Sequence, residues 1–219
     1  MLIAPRSHLL MIGDSITDSQ RLPEGEGLFE AIGRGYVAYV DALLGSVYPA
    51  HAIRVTNMGV SGNTVRDLDA RWQQDVLDRR PDWLVIMIGI NDVWRQFDLP
   101  RQREQHVLAE EYAATLERLV ATTRPTVAGL VLMTPYYLEP NREDAMRRQM
   151  DQYGAIVKEI AQRHDTLLVD TQAAFDRLLA HWYPAALAWD RVHPNHIGHM
   201  TLARAFLDAV GFRWHPEGP

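Results

Sequence analysis

Short apolar runs alternate along the chain with longer stretches in which apolar residues recur every three or four positions. Five runs stand out: Leu9 to Ile12, Ile53 to Met58, Trp83 to Ile88, Gly129 to Met133 and Leu167 to Val169. Being short and apolar throughout, they predict strands buried on both faces. The stretches between them predict helices over Gly35 to Val47, Thr64 to Arg79, Glu104 to Thr123, Asp144 to Arg163, Thr171 to Leu179 and His196 to Val210. In the second of these, Val65, Leu68, Trp72, Val76 and Leu77 fall on one face, with Asn63 or Thr64 as the cap. Strand alternating with helix predicts an α/β class, three-layer doubly wound fold around a five-stranded parallel sheet. Fold rules supply its flavodoxin-like order, 2-1-3-4-5.

The 219 residues fit one domain spanning 1–219, with no repeat, low-complexity tract or linker. Hydrophobic residues at 47% and charged residues at 23% match a globular protein with a sizeable core. The formal charge of −6 comes without a run of five like charges, so neither nucleic acid nor an anionic membrane is an expected partner. A small neutral substrate fits better. Cysteine is absent, which removes disulfides, thiolate metal sites and a thiol nucleophile. Pro5, Arg6, Ser7 and His8 interrupt the apolar start of the chain, and no apolar segment spans a bilayer, so a cytoplasmic protein is expected. Residues 21–36, with four glycines and one proline, are the most loop-like stretch, a lid or an oligomer contact.

Open parallel sheets gather their ligands at the carboxyl ends of the strands. After the first predicted strand come Gly13, Asp14 and Ser15; after the second "GVSGNT", residues 59–64; after the third "GIND", residues 89–92. Ahead of the last helix stands "WDRVHP", residues 189–194. A serine hydroxyl needs an adjacent base, itself oriented by a carboxylate. Asp190 and His193 are three residues apart, so on one helical turn they share a face and can supply both. An oxyanion formed at Ser15 then needs preorganised donors, for which the backbone N–H groups of Ser15 and Gly62 and the amide of Asn91 are the candidates.

This set resembles the SGNH hydrolase superfamily, the GDSL-type esterases, whose markers map to Ser15 in "GDSIT", Gly62 in "VSGNT", Asn91 in "GIND" and His193 in "DRVH". Ile16 replaces the usual leucine, and the G-x-S-x-G elbow of the α/β-hydrolases is absent. The stretches "PEGEG", "GYVAYV", "SGNTVRDL", "IMIGINDVWRQ", "MRRQMDQYG", "VDTQAAF" and "YPAALAWDRVHP" are similar to intracellular bacterial acetyl-xylooligosaccharide esterases of that superfamily. The resemblance implies a serine esterase that removes O-acetyl groups from xylose-based sugars without a cofactor. It also implies a homo-oligomer, an octameric ring being one form.

Other residues carry two readings. Asp14 is either a substrate or oxyanion assistant or a turn former, and Asp92 is read as a turn former. Gly59 is read as relieving backbone strain. Trp94 and Trp189 are placed to line an acyl or sugar pocket, whereas Trp72 and Trp83 are core. His193, His196 and His199 step by three, but the spacing is not that of a metal-binding pair, so no metal is expected. Two other functions use the same residues or the same fold: a short-chain lipid or thioester hydrolase, and a non-catalytic sugar-binding relative.

Overall fold

The computed structural model describes residues 1–22 and 31–215; half of the loop-like 21–36 stretch, residues 23–30, lies outside them. Five parallel strands form one sheet: β1 (His8–Gly13), β2 (Arg54–Gly59), β3 (Trp83–Met87), β4 (Gly129–Met133) and β5 (Leu167–Val169). Their order is β2-β1-β3-β4-β5, as expected. The register aligns Gly13 with Gly59 and Met87, Met87 with Met133, and Met133 with Val169. The five strands therefore end level, and whatever follows each emerges on one common edge.

Leu9, Leu10, Met11 and Ile12 of β1 and Leu84 and Val85 of β3 are wholly buried, as strands covered on both faces must be. β5 differs from expectation: at the sheet's edge, its Leu168 is 37% exposed.

The crossovers between parallel strands place helices on both faces of the sheet. On one, α2 (Tyr36–Val47) packs against α9 (His196–Ala209), and α9 against α7 (Thr171–Leu179). On the other, α3 (Val65–Trp72), α5 (Ala109–Thr123) and α6 (Ala145–Arg163) pack in succession. The predicted Thr64 to Arg79 helix is α3 continued by a π-helical turn, Gln73–Leu77, and α5 starts five residues later than predicted. Three helices went unpredicted: α1 (Ser15–Asp18), α4 (Ile90–Asp98) and α8 (Pro184–Leu187). Trp72 and Trp83 are buried in the core. Among the described residues, no helix is long and apolar enough to cross a membrane.

Candidate active site

β1 delivers Ser15 to the carboxyl edge as the first residue of α1, a single helical turn. Asp14 caps that turn: its Oδ1 accepts from Ile16 N at 2.9 Å, and its side chain is buried, facing the protein. Burial pushes the Asp14 carboxyl up to about 7, against the pull of the Ile16 N–H and of the neighbouring His193.

His193 reaches Ser15 from the other end of the chain, with Nε2 2.8 Å from Ser15 Oγ. Asp190 Oδ2 lies 2.6 Å from His193 Nδ1, while Asp190 Oδ1 accepts from Val192 N at 2.9 Å and His193 N at 2.8 Å. A carboxylate only accepts, so Nδ1 carries the proton and Nε2 is left to accept from the serine hydroxyl. Residues 190–193 do not form the expected helical turn. They form an Asx-type turn in which Arg191 is left-handed, with φ of 64°. Burial raises the Asp190 carboxyl, but the His193 ring and the two backbone N–H groups outweigh it and leave it below the usual carboxylate range.

The turn is itself braced. Leu138 N donates to Arg191 O at 3.0 Å, Tyr136 Oη to Val192 O at 3.1 Å, and Arg191 Nη1 to Glu139 Oε2 at 2.5 Å. Arg147, fully buried on α6, donates to Glu139 O at 2.5 Å and pairs with Asp151 and Asp176. A buried arginine at a helix position gives no sequence signal beyond a charge among apolar neighbours.

Gly62 sits in the loop after β2 with φ of 84°, and a Cβ there would meet nothing within 4 Å. The left-handed backbone is one that favours glycine. Gly59 is the reverse case. Its backbone is not left-handed, but a Cβ would fall 2.1 Å from Asp18 N, so close packing of β2 on α1 is what excludes a side chain, not strain.

Asn91 and Asp92 are not strand-end turn residues; they open α4, whose Ile90, Val93, Trp94 and Phe97 keep helical spacing. Asn91 Nδ2 donates to Asn63 O at 2.9 Å, its second N–H has no partner among the described residues, and its Oδ1 accepts from Arg95 at 3.2 Å. Asp92 is wholly buried; Oδ1 accepts from Val65 N at 2.9 Å and caps α3, while Oδ2 has no hydrogen-bond partner among the described residues. Burial lifts its carboxyl to about 7, opposed by the Val65 N–H.

The Trp94 ring lies 5.9 Å from that of His193, tilted by 59°. Trp189 is 83% exposed. His199 projects from α9 beneath the site, where its Nδ1 accepts from Tyr36 N at 3.2 Å; burial, with the nearby His193, lowers it to about 4.

A serine hydroxyl bonded to an imidazole that is bonded in turn to a carboxylate, at the carboxyl edge of a doubly wound parallel sheet, defines the serine acyl hydrolases. The chain belongs to the GDSL-like lipase/acylhydrolase family, whose model matches residues 11–200. It is 62% identical over 215 residues, 98% of each chain, to an acetylxylan esterase of Geobacillus stearothermophilus. A crystal structure of an acetylxylan esterase from that organism covers 100% of both chains at 61% identity, with a TM-score of 0.97. Catalytic mutants of that esterase carry alanine for a serine, an aspartate and a histidine. An α/β hydrolase enzyme from the metagenome of Lake Arreo, Spain, matches at 58% identity over 96% of this chain and 98% of its own, with a TM-score of 0.95.

Proposed function

We propose that this protein is a carboxylic ester hydrolase that removes O-acetyl groups from acetylated xylooligosaccharides through an acetyl-serine intermediate. The hydrogen-bonded line from Ser15 Oγ through His193 to Asp190 carries the mechanism. Likeness over the whole chain to an acetylxylan esterase carries the substrate.

Ser15 Oγ attacks the acetyl carbon as its proton passes to His193 Nε2. The carbonyl oxygen becomes an oxyanion held by the Ser15 and Gly62 N–H groups and by the second N–H of Asn91. Collapse breaks the bond to the sugar oxygen, which leaves with the proton from His193. Water, deprotonated by His193, then attacks the acetyl-serine; the acyl–Oγ bond breaks, Ser15 Oγ takes the proton back from His193 and acetate is released. Trp94, beside the imidazole, and the exposed Trp189 are the aromatic surfaces offered to a sugar. No step calls for a metal or a cofactor.

The same reading makes residues 1–219 one domain, places the protein in the cytoplasm and expects a homo-oligomer. Trp182, Tyr183 and Trp214 are 45%, 75% and 57% exposed, apolar surface that subunit contacts would cover. An octamer would show eight times the 25.0 kDa chain mass in light scattering.

Acetate release from a panel of acetylated xylooligosaccharides and other acetylated sugars, with Ser15→Ala as control, tests the assignment. Preference for the xylose-based members supports it. Faster hydrolysis of octanoyl than acetyl esters would point to a lipid or thioester hydrolase. Failure of a phosphonate probe to label Ser15 would point to a sugar-binding protein.

A further inference from the structure

Arg71 stands on α3, outside the four marker segments, between the buried side chains of Leu68 and Trp72. Its guanidinium is largely shielded and makes four hydrogen bonds, three to the backbone behind the site and the adjoining loop and one to the Asp75 carboxylate one turn on. Nη2 donates to Gly13 O at 3.1 Å, the carbonyl two residues before Ser15. Nη1 donates to Met58 O at 2.9 Å, near the end of β2, and to Asp75 Oδ2 at 2.7 Å. Nε donates to Asn63 Oδ1 at 2.8 Å, next to Gly62. One rigid planar group thus spans the end of the nucleophile's strand, the end of the next strand and the loop that carries Gly62.

The Gly62 loop has few other anchors. Val60 N donates to Gly13 O at 3.1 Å, Ser61 Oγ to Asp18 Oδ2 at 2.5 Å, and Asn63 O accepts from Asn91. Gly62 brings no side chain of its own, so the direction of its N–H depends on how its neighbours are held. Asn63, held by Asn91 through its carbonyl, by Arg71 through its side chain and by Val60 O through its backbone N–H, is the neighbour fixed from three sides.

We infer that Arg71 is a positioning residue for the reaction, fixing the oxyanion-binding loop relative to Ser15 through Asn63 and Gly13; the assignment rests on the serine-esterase mechanism above. Lysine cannot replace it, because a single ammonium on a flexible stem does not reproduce a planar fork that meets several acceptors at once. A displacement of about 1 Å in such a site costs about 10²-fold in rate.

Arg71→Lys, Asn63→Ala and the double variant, assayed on 4-nitrophenyl acetate with active-site titration to count folded enzyme, test the inference. Arg71→Lys is expected to lower kcat about 10- to 100-fold with KM within about twofold, because the donors matter most once charge develops on the oxygen. Asn63→Ala is expected to lose less, and the double variant no more than Arg71→Lys alone, since both remove one linkage. The acid limb of the pH profile should stay in place, because neither residue is bonded to His193 or Asp190. Wild-type kcat in Arg71→Lys, a loss carried by KM alone, additive losses in the double variant or a shifted acid limb would each overturn the inference. Wild-type protein that hydrolyses no acetate ester would instead overturn the esterase assignment itself.

Discussion

Asp190 holds His193 twice, its Oδ2 on the ring Nδ1 at 2.6 Å and its Oδ1 on the backbone N–H at 2.8 Å. The two oxygens divide the work: one orients the imidazole and the other shapes the turn that presents it. Asp190→Asn keeps an oxygen for the backbone but loses the charge and the preference for the Nδ1–H tautomer. By the precedent of serine proteases, kcat on an acetate ester should drop about 10⁴-fold. The melting temperature should change little, and the two measurements together separate orientation of the base from folding of the turn. Ser15→Ala should drop kcat by more than about 10³-fold without altering stability.

Asp92 titrates with the opposite sign to Asp190. Its carboxyl is lifted from 3.8 to about 7 by burial, so across that range the folded state holds a proton that the unfolded chain has lost. Stability therefore falls as pH rises from about 4 to about 7. Asp92→Asn retains an acceptor for Val65 N and carries no titrating proton. Melting curves should show the variant gaining on wild type as pH rises across that window, with the difference constant below pH 4. A difference that does not move with pH would rule out a buried, lifted carboxyl at this position.

Arg147 is the buried hub between α6, α7 and the loop that braces the 190–193 turn. Arg147→Met preserves much of the volume but strands the Glu139 carbonyl and takes a cation from two carboxylates, Asp151, 40% exposed, and Asp176, 25% exposed and still bonded to Gln172 and Arg142. Partial solvent screening of those partners tempers the loss to about 2 kcal/mol, readable as a shift in denaturant midpoint.

Gly59→Ala should be among the most damaging small substitutions. The new methyl would lie 2.1 Å from a backbone nitrogen of α1, so the helix that begins with Ser15 must move. Loss of stability of about 3 kcal/mol and of most esterase activity is expected, measured by unfolding and by turnover. By contrast Gly62→Ala meets no atom within 4 Å and should cost only the left-handed backbone, about 1 kcal/mol.

The frame of the molecule was legible because Leu9 to Ile12 of β1, all of β3 and all of β4 are apolar and because doubly wound folds follow few topologies. Where periodicity and turn chemistry competed, turn chemistry misled: "IND" reads as a turn, yet Ile90, Val93, Trp94 and Phe97 set a helix that gathers Asn91 and Asp92 at its start. α1 is one turn long, too short for any periodicity to show. At the site, the meeting of Ser15 and His193, 178 residues apart, was legible only through four separate motifs. Arg71, Arg147 and the capping role of Asp92 were not, because their partners are carbonyls, amides and side chains from distant segments. A sequence shows the charge of an arginine but not the acceptors that the fold brings to it.

The bond between residue 15 and residue 193 also sets a timetable for the chain. The proposed nucleophile and oxyanion loop come early in the chain, but the proposed base follows the serine by 178 residues, in the turn before α9. A growing chain carries an inert serine until that turn docks. On the proposed mechanism, hydrolytic activity therefore reports that the turn before α9 has docked beside α1, and it appears all at once rather than in proportion to length.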